Sequence, residues 1–211
     1  MKFSDGQWND REGYTIYNPA QVRDVKTDDK TLTVYAPYKQ ISSRGDTLNA
    51  PQFTLEFSSP IPDVIKVLIY HYKDMGKGNP EFKIKEDIDN KVVIDLFDDV
   101  ETLTTGKTSV KINRKGKMKI EYLYDGKYIT GSNFKSSGYV INPEKEVYMR
   151  EQLNIDVNEC IYGLGERFTH FVKNGQVVDM WNEDGGTCSE QSYKNIPFYI
   201  TNKGYGVLVN H

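Results

Sequence analysis

The sequence predicts an all-β chain that packs as two antiparallel sheets. Short runs of alternating apolar and polar residues are separated by Gly, Pro, Asn and Asp, which is the chemistry of strands and turns. The composition supplies strand formers, with 15 tyrosines and 9 phenylalanines. Nowhere does an apolar repeat at i, i+3, i+4 and i+7 last three helical turns, so long helices are not expected. At 211 residues the chain can bury a core without disulfide staples. No stretch has the length or low complexity of an interdomain linker, so residues 1–211 are expected to form a single domain.

The elements follow in chain order. Leu32, Val34 and Ala36 alternate with polar residues, as do Phe53, Leu55 and Phe57, and both runs read as half-buried strands. Val64 to Tyr72 is more continuously apolar and rich in β-branched and aromatic residues. That pattern predicts a strand covered on both faces, central in its sheet. Asp74 to Asn90 and Lys135 to Glu146 are polar and aperiodic and are expected to be loops. Between them, Val110-Lys111-Ile112 leads into a basic turn at Arg114-Lys115-Gly116, followed by Met118, Ile120, Tyr122 and Tyr124 and then Asp125-Gly126. An Asp-Gly pair between alternating runs favours a type I′ turn, so Lys117 to Thr130 is expected to form a hairpin. The last residues, Gly204 to His211, read as a strand without a closing turn, the mark of an artificial boundary, with the last strands of the domain lacking.

Charge and cysteine usage exclude several function classes. Lysine and arginine number 27 against 30 acidic residues, a net charge of −3, which gives no reason to expect nucleic acid or an anionic membrane as partner. No segment approaches the roughly 20 apolar residues that span a bilayer. The polar start Met1 to Trp8 lacks the apolar stretch of a signal peptide, and a cytoplasmic protein is expected. Cys160 and Cys188 have no Cys or His neighbours at ligand spacing, so neither a disulfide framework nor a metal site is expected, and no cofactor is implied. Cys188 is expected to be an inert thiol. His71 and His170 are expected to be packed or exposed rather than catalytic. The basic residues Arg114, Lys115, Lys117 and Lys119 are expected to form a solvated face.

Two segments near the end carry more specific chemistry. In Gly163-Leu164-Gly165-Glu166 the two glycines permit a tight bend or close approach to another surface. The third glycine and the helix of a dinucleotide fingerprint are missing. Glu166 and Arg167 are expected to form a structural or domain-contact pair rather than to catalyse. Trp181-Asn182-Glu183-Asp184-Gly185-Gly186 is expected to project as a loop. A carboxylate accepts hydrogen bonds from vicinal hydroxyls and an indole covers the apolar C–H face of a pyranose, so Trp181, Asn182 and Asp184 are candidate sugar-binding residues. The residues alone equally allow an Asx turn capped by its own glycines.

Tyr162-Gly163-Leu164-Gly165-Glu166-Arg167-Phe168 resembles the signature that precedes the catalytic barrel of family 31 glycoside hydrolases. Trp181 to Thr187, Tyr193 to Tyr199 and the final strand extend the likeness over about the last quarter of the chain. Ser4 to Trp8, Asn18-Pro19, Ala50-Pro51 and Ile129 to Ser132 are similar to the bacterial α-xylosidase branch. The resemblance implies a galactose mutarotase-like N-terminal β-sandwich, truncated before a (β/α)₈ catalytic barrel. Retaining glycosidases need two carboxylates roughly 5 Å apart. The family carries them on the barrel, so no catalytic residue is assigned here and the piece alone is expected to be inactive. The aspartate matching Asp184 is implied to touch the sugar on the leaving-group side. Glu183 departs from relatives, which often have a basic residue there. The implied partners are an α-linked xyloside or glucoside and the barrel of the same polypeptide, and a homo-oligomeric full-length enzyme is compatible with the resemblance. A free-standing carbohydrate-binding sandwich and a sugar epimerase are the alternatives. The epimerase needs a histidine acid and a glutamate base in one cleft.

Overall fold

Strands in this chain form where alternation lets one face meet a core, and the computed structural model, which describes residues 4–5, 9–49, 51–71, 82–183 and 192–210, shows 17 of them. Among the described residues the one helical element is a 3-10 turn at Arg44–Thr47, and there is no α-helix. The chain divides into two compact units. One comprises Lys2–Lys77 and Ile84–Asn154, and the other Gly78–Lys83 and Ile155–His211 with Met1.

In the first unit, β1 (Ser4–Asp5) pairs with β2 (Asn9–Asp10). After β3 (Thr15–Tyr17) come β4 (Asp24–Thr27), β5 (Leu32–Pro37), β6 (Gln52–Ser58) and β7 (Lys66–Tyr70), a four-stranded sheet in the order β4-β5-β6-β7. Next follow β8 (Val92–Leu96), β9 (Val100–Thr105), β10 (Thr108–Asn113), β11 (Ile120–Tyr124) and β12 (Lys127–Ser132), a five-stranded meander. Finally β13 (Gly138–Ile141) pairs with β14 (Val147–Arg150) on one side and β3 on the other. All these pairings are antiparallel.

The predicted core residues of β5 and β6 (Leu32, Val34, Ala36, Phe53, Leu55 and Phe57) are fully buried. They share one apolar cluster with Leu103, Val110, Ile112 and Ile120 of the five-stranded sheet, which makes a two-sheet sandwich. Full burial of each of these side chains except Ala36 contributes about 1.5–3 kcal/mol.

The predicted hairpin is present. Tyr124 faces Lys127, and both turn residues take positive φ, 50° at Asp125 and 74° at Gly126, as a type I′ turn requires. Its paired region starts at Ile120 rather than Lys117, and a bulge between Tyr122 and Leu123 shifts the register.

Other expectations need correction. The apolar run at Val64 to Tyr72 forms β7 only over Lys66–Tyr70, and β7 is an edge strand, not a central one. Val67 and Ile69 pack on the core while Leu68, 45% exposed, faces away, so an apolar outer face disguised a one-sided strand. Tyr72 lies outside the described residues. The expected loop Lys135 to Glu146 contains β13, whose Val140 is fully buried. Four residues are too few to show a period, and the partner that makes them a strand lies more than a hundred residues earlier in the chain. Of the other expected loop, residues 82–90 are described and form no strand. The basic turn is solvated as expected, with Arg114, Lys115, Lys117 and Lys119 all exposed, and three of them also find carboxylates: Arg114 donates to the fully buried Glu101 at 3.0 Å, Lys115 pairs with Asp99, and Lys119 pairs with Glu121 at 2.6 Å. His71 is packed, with its ring 4.5 Å from that of Tyr139.

The second unit holds β15 (Ile161–Gly163), β16 (Phe198–Thr201) and β17 (Gly206–Leu208), in that order across the sheet. The expected terminal strand is therefore an edge strand, shorter than its sequence run. Phe198 faces Leu208 and Tyr162 faces Ile200, which puts these four on one side of the sheet, and Phe198, Ile200 and Leu208 are exposed there. Lys203 joins the turn before β17 to the segment before β15, with its ammonium 2.7 Å from Asp156 and 3.6 Å from the buried Glu159. The Tyr205 hydroxyl donates to the other Glu159 oxygen at 2.5 Å.

Candidate functional site

The site begins at a bend that depends on its two glycines. Gly163, Leu164 and Gly165 have successive φ values of 111°, 69° and 89°. A Cβ on Gly163 would stand 2.8 Å from the Phe198 carbonyl oxygen, and one on Gly165 2.8 Å from the Ile196 nitrogen. The bend lies against residues 194–198 and is tied there by Leu164 N–H to Phe198 O at 2.9 Å and Glu166 N–H to Lys194 O at 3.0 Å. The close approach expected of the two glycines is present.

Glu166 and Arg167 do not act as one pair. Glu166 binds Lys194 at 2.8 Å, and the carboxylate raises the lysine's pKa. Arg167 points toward backbone instead, donating to Leu164 O at 3.2 Å and Asp179 O at 3.0 Å, and to the side-chain oxygen of Asn195. Successive residues leave a bend in different directions, so adjacency in sequence did not make them partners.

The Trp181 segment is held from the opposite direction. Asn182 forms a parallel bridge with Ser192, and Glu183 N–H donates to Ser192 O at 3.0 Å. Asn195 Nδ2 donates to Trp181 O at 2.8 Å and to Asn182 Oδ1 at 2.7 Å. The Asn182 oxygen also accepts the Asn195 backbone N–H at 3.3 Å, so this candidate's carbonyl is engaged in holding its own loop. Trp181 is 73% exposed, an indole presented to solvent. Asp184, with Gly185, Gly186 and Cys188, lies outside the described residues.

Trp181 and Glu183 line a cleft of about 440 Å³ together with Arg167, Thr169, Val177 and Asp179. Behind it the buried Lys173 donates to Thr169 Oγ1 at 3.0 Å and to His170 O at 2.6 Å. Burial, with the charge of Arg167 second, pushes the Lys173 pKa down. The cleft combines an aromatic face, two carboxylates and a guanidinium, which is equipment for binding a polyhydroxylated ring through C–H stacking and hydrogen bonds. Sequence reasoning singled out Trp181 and Asn182 but missed Asp179, Thr169 and Asn195, whose surroundings carry no local pattern. Among the described residues no group of three His, Cys, Asp or Glu side chains is placed to hold a metal.

A family described as the glycosyl hydrolase 31 N-terminal galactose mutarotase-like domain matches residues 53–211. The chain belongs to this family. As a glycosyl hydrolase 31 N-terminal domain it is 46% identical over its whole length to alpha-xylosidase XylQ of Lactiplantibacillus pentosus, of which it spans 27%. It is 36% identical, again over its whole length, to an alpha-xylosidase of Emericella nidulans, of which it spans 30%. It thus covers less than a third of either relative. The cycloalternan-forming enzyme from Listeria monocytogenes, solved with a pentasaccharide substrate, superposes with a TM-score of 0.70 at 17% identity, over 93% of this chain and 18% of that one. That likeness concerns the fold. The glycosyl hydrolase 31 assignment places the Gly163 bend and the Trp181 cleft inside the matched region.

Proposed function

We propose that this chain is the non-catalytic N-terminal domain of a retaining α-glycosidase, an α-xylosidase in the first place and an α-glucosidase in the second. The observation that carries the reading is the 46% identity, over the entire chain, with a relative named as an alpha-xylosidase. In this reading the reacting carboxylates sit on a barrel of the same polypeptide. The domain lines the substrate entrance with the Trp181 cleft, and Asp184 joins it at the leaving-group side of the sugar. Asn182 contributes through the loop it braces. The exposed apolar side of the terminal sheet, with Phe198, Ile200 and Leu208, supports the barrel: such a face is a poor surface for water and a good one for a protein partner. A cytoplasmic location belongs to the same proposal. Among the described residues no helix is long and apolar enough to cross a membrane.

Full-length enzyme assayed on aryl α-xyloside and aryl α-glucoside tests the reading. The expected result is faster hydrolysis of the xyloside with retention of anomeric configuration, and none by residues 1–211 alone. Hydrolysis by that piece, or a full-length protein inactive on both glycosides, would overturn it. One observation favours a second reading, a free-standing sugar-binding sandwich: the indole of Trp181 stands open beside Glu183. Millimolar binding of xylose by residues 1–211, lost in Trp181→Ala, would support it. The epimerase alternative gains nothing from this cleft, whose lining among the described residues includes no histidine.

A further inference from the structure

We propose that Asn195, oriented by Arg167, is the positioning residue that sets the Trp181 loop against the substrate; the inference rests on the reading of the cleft as a sugar-binding wall. A side chain as exposed as Trp181 gains little from packing, so its placement depends on what holds its backbone. Among the described residues that backbone is part of no sheet. It is held by the bridge to Ser192 and by the amide of Asn195, whose Nδ2 shares its two N–H groups among Trp181 O at 2.8 Å, Asn182 Oδ1 at 2.7 Å and Ser192 O at 2.9 Å.

An asparagine amide can turn over and exchange its donor and acceptor ends at small cost when its neighbours tolerate both. Here they do not. The Asn195 oxygen accepts from the Arg167 guanidinium, a charge-assisted bond, and the reversed amide would aim its NH₂ at a cation. Arg167 therefore dictates that the NH₂ end faces Trp181 and Asn182. Arg167 is anchored in turn, since its Nε donates to Leu164 O in the glycine bend and its Nη2 to Asp179 O just before the loop. Gly165 keeps this root in place, because a side chain there would collide with the backbone of residues 194–196. One guanidinium thus links the bend, the segment that leads into the loop and the amide that holds it.

Asn195→Asp separates positioning from bracing. The aspartate keeps, and strengthens, the acceptor for Arg167, but its second oxygen repels Trp181 O and Asn182 Oδ1 where an NH₂ had bound them. In the full-length enzyme this variant is expected to keep its kcat while KM for an α-xyloside rises about tenfold, the pattern of lost uniform binding. Trp181→Ala is expected to raise KM similarly, and the double variant to be no worse than Trp181→Ala alone, because both changes remove the same contact. Asn195→Gln, which retains both amide ends one methylene further out, is expected to show a smaller rise and guards against a misfolded aspartate variant. If Trp181→Ala raises KM but neither Asn195 variant does, or if the effects add in full, positioning is overturned while the sugar-wall reading stands. If Trp181→Ala leaves KM unchanged, that reading fails and this inference falls with it.

Discussion

At the scale of single residues, Glu159 shows how the second unit secures its sheet. Burial pushes its pKa up, but the Asp156 N–H, the Tyr205 hydroxyl and the Lys203 ammonium outweigh that and hold it below the ordinary carboxylate value. Asp156 is lowered as well, by Lys203 first and the Val157 N–H second. Carboxylates whose folded pKa is depressed stabilise the fold above the unfolded value, and the benefit is lost as pH falls through the folded one. Lys203→Met is therefore expected to be less stable than the native chain at neutral pH, with the difference closing as pH drops below the ordinary carboxylate range. Thermal melts at pH 7 and pH 3 check this, and an equal difference at both would contradict it. Glu159→Ala removes the acceptor used by the Tyr205 hydroxyl and by the Asp156 N–H, and is expected to cost about 2 kcal/mol at neutral pH by denaturant titration.

Among the elements, the bend at Gly163 to Gly165 and the turn at Gly175 offer a controlled comparison. Gly165 and Gly175 both have positive φ, 89° and 75°. A Cβ on Gly175 meets open space, whereas one on Gly165 meets the Lys194 oxygen and the Ile196 nitrogen. Gly175→Ala is expected to cost about 1 kcal/mol, the backbone term alone. Gly165→Ala must also displace backbone, and is expected to cost at least twice that and to weaken substrate binding, since it moves the root of Arg167. Similar melting temperatures for the two variants would show that the bend can relax. The same scale explains the missed strand β13. Its Gly-Tyr-Val-Ile run becomes a strand only because Thr15–Tyr17 and Val147–Arg150 flank it.

For the molecule as a whole, two kinds of apolar surface have opposite fates. Phe57 is fully buried between the sheets of the first unit, and Phe57→Ala is expected to cost about 3–5 kcal/mol, as large core truncations do. Ile200, 46% exposed on the terminal sheet, has no such role among the described residues. If that side of the sheet supports a catalytic barrel, Ile200→Asp should lower the melting temperature of the full-length enzyme by several degrees yet leave that of residues 1–211 little changed. Equal shifts in both proteins, read by scanning calorimetry, would show that the face bears no barrel.

What the sequence determined by itself was whatever depends on neighbours in the chain. The alternating runs of β5 and β6 have their core faces where period two puts them, the Asp125-Gly126 hairpin folds as its turn residues demand, and the two glycines of the bend take the backbone that only they reach without strain. The family likeness could be read in Tyr162 to Phe168 because a bend packed against backbone tolerates few alternatives. Tertiary structure alone decided which strands stand at an edge, as with β7, whose outward Leu68 and Tyr70 imitate burial. It also decided that the exposed Arg114 would find the buried Glu101 as its partner. At the site the chain displayed Trp181 and Asn182 but not the amide that holds them. Asn195 lies 13 or more residues away and earns its role only through distance and angle to Arg167, quantities that exist only once the chain has folded.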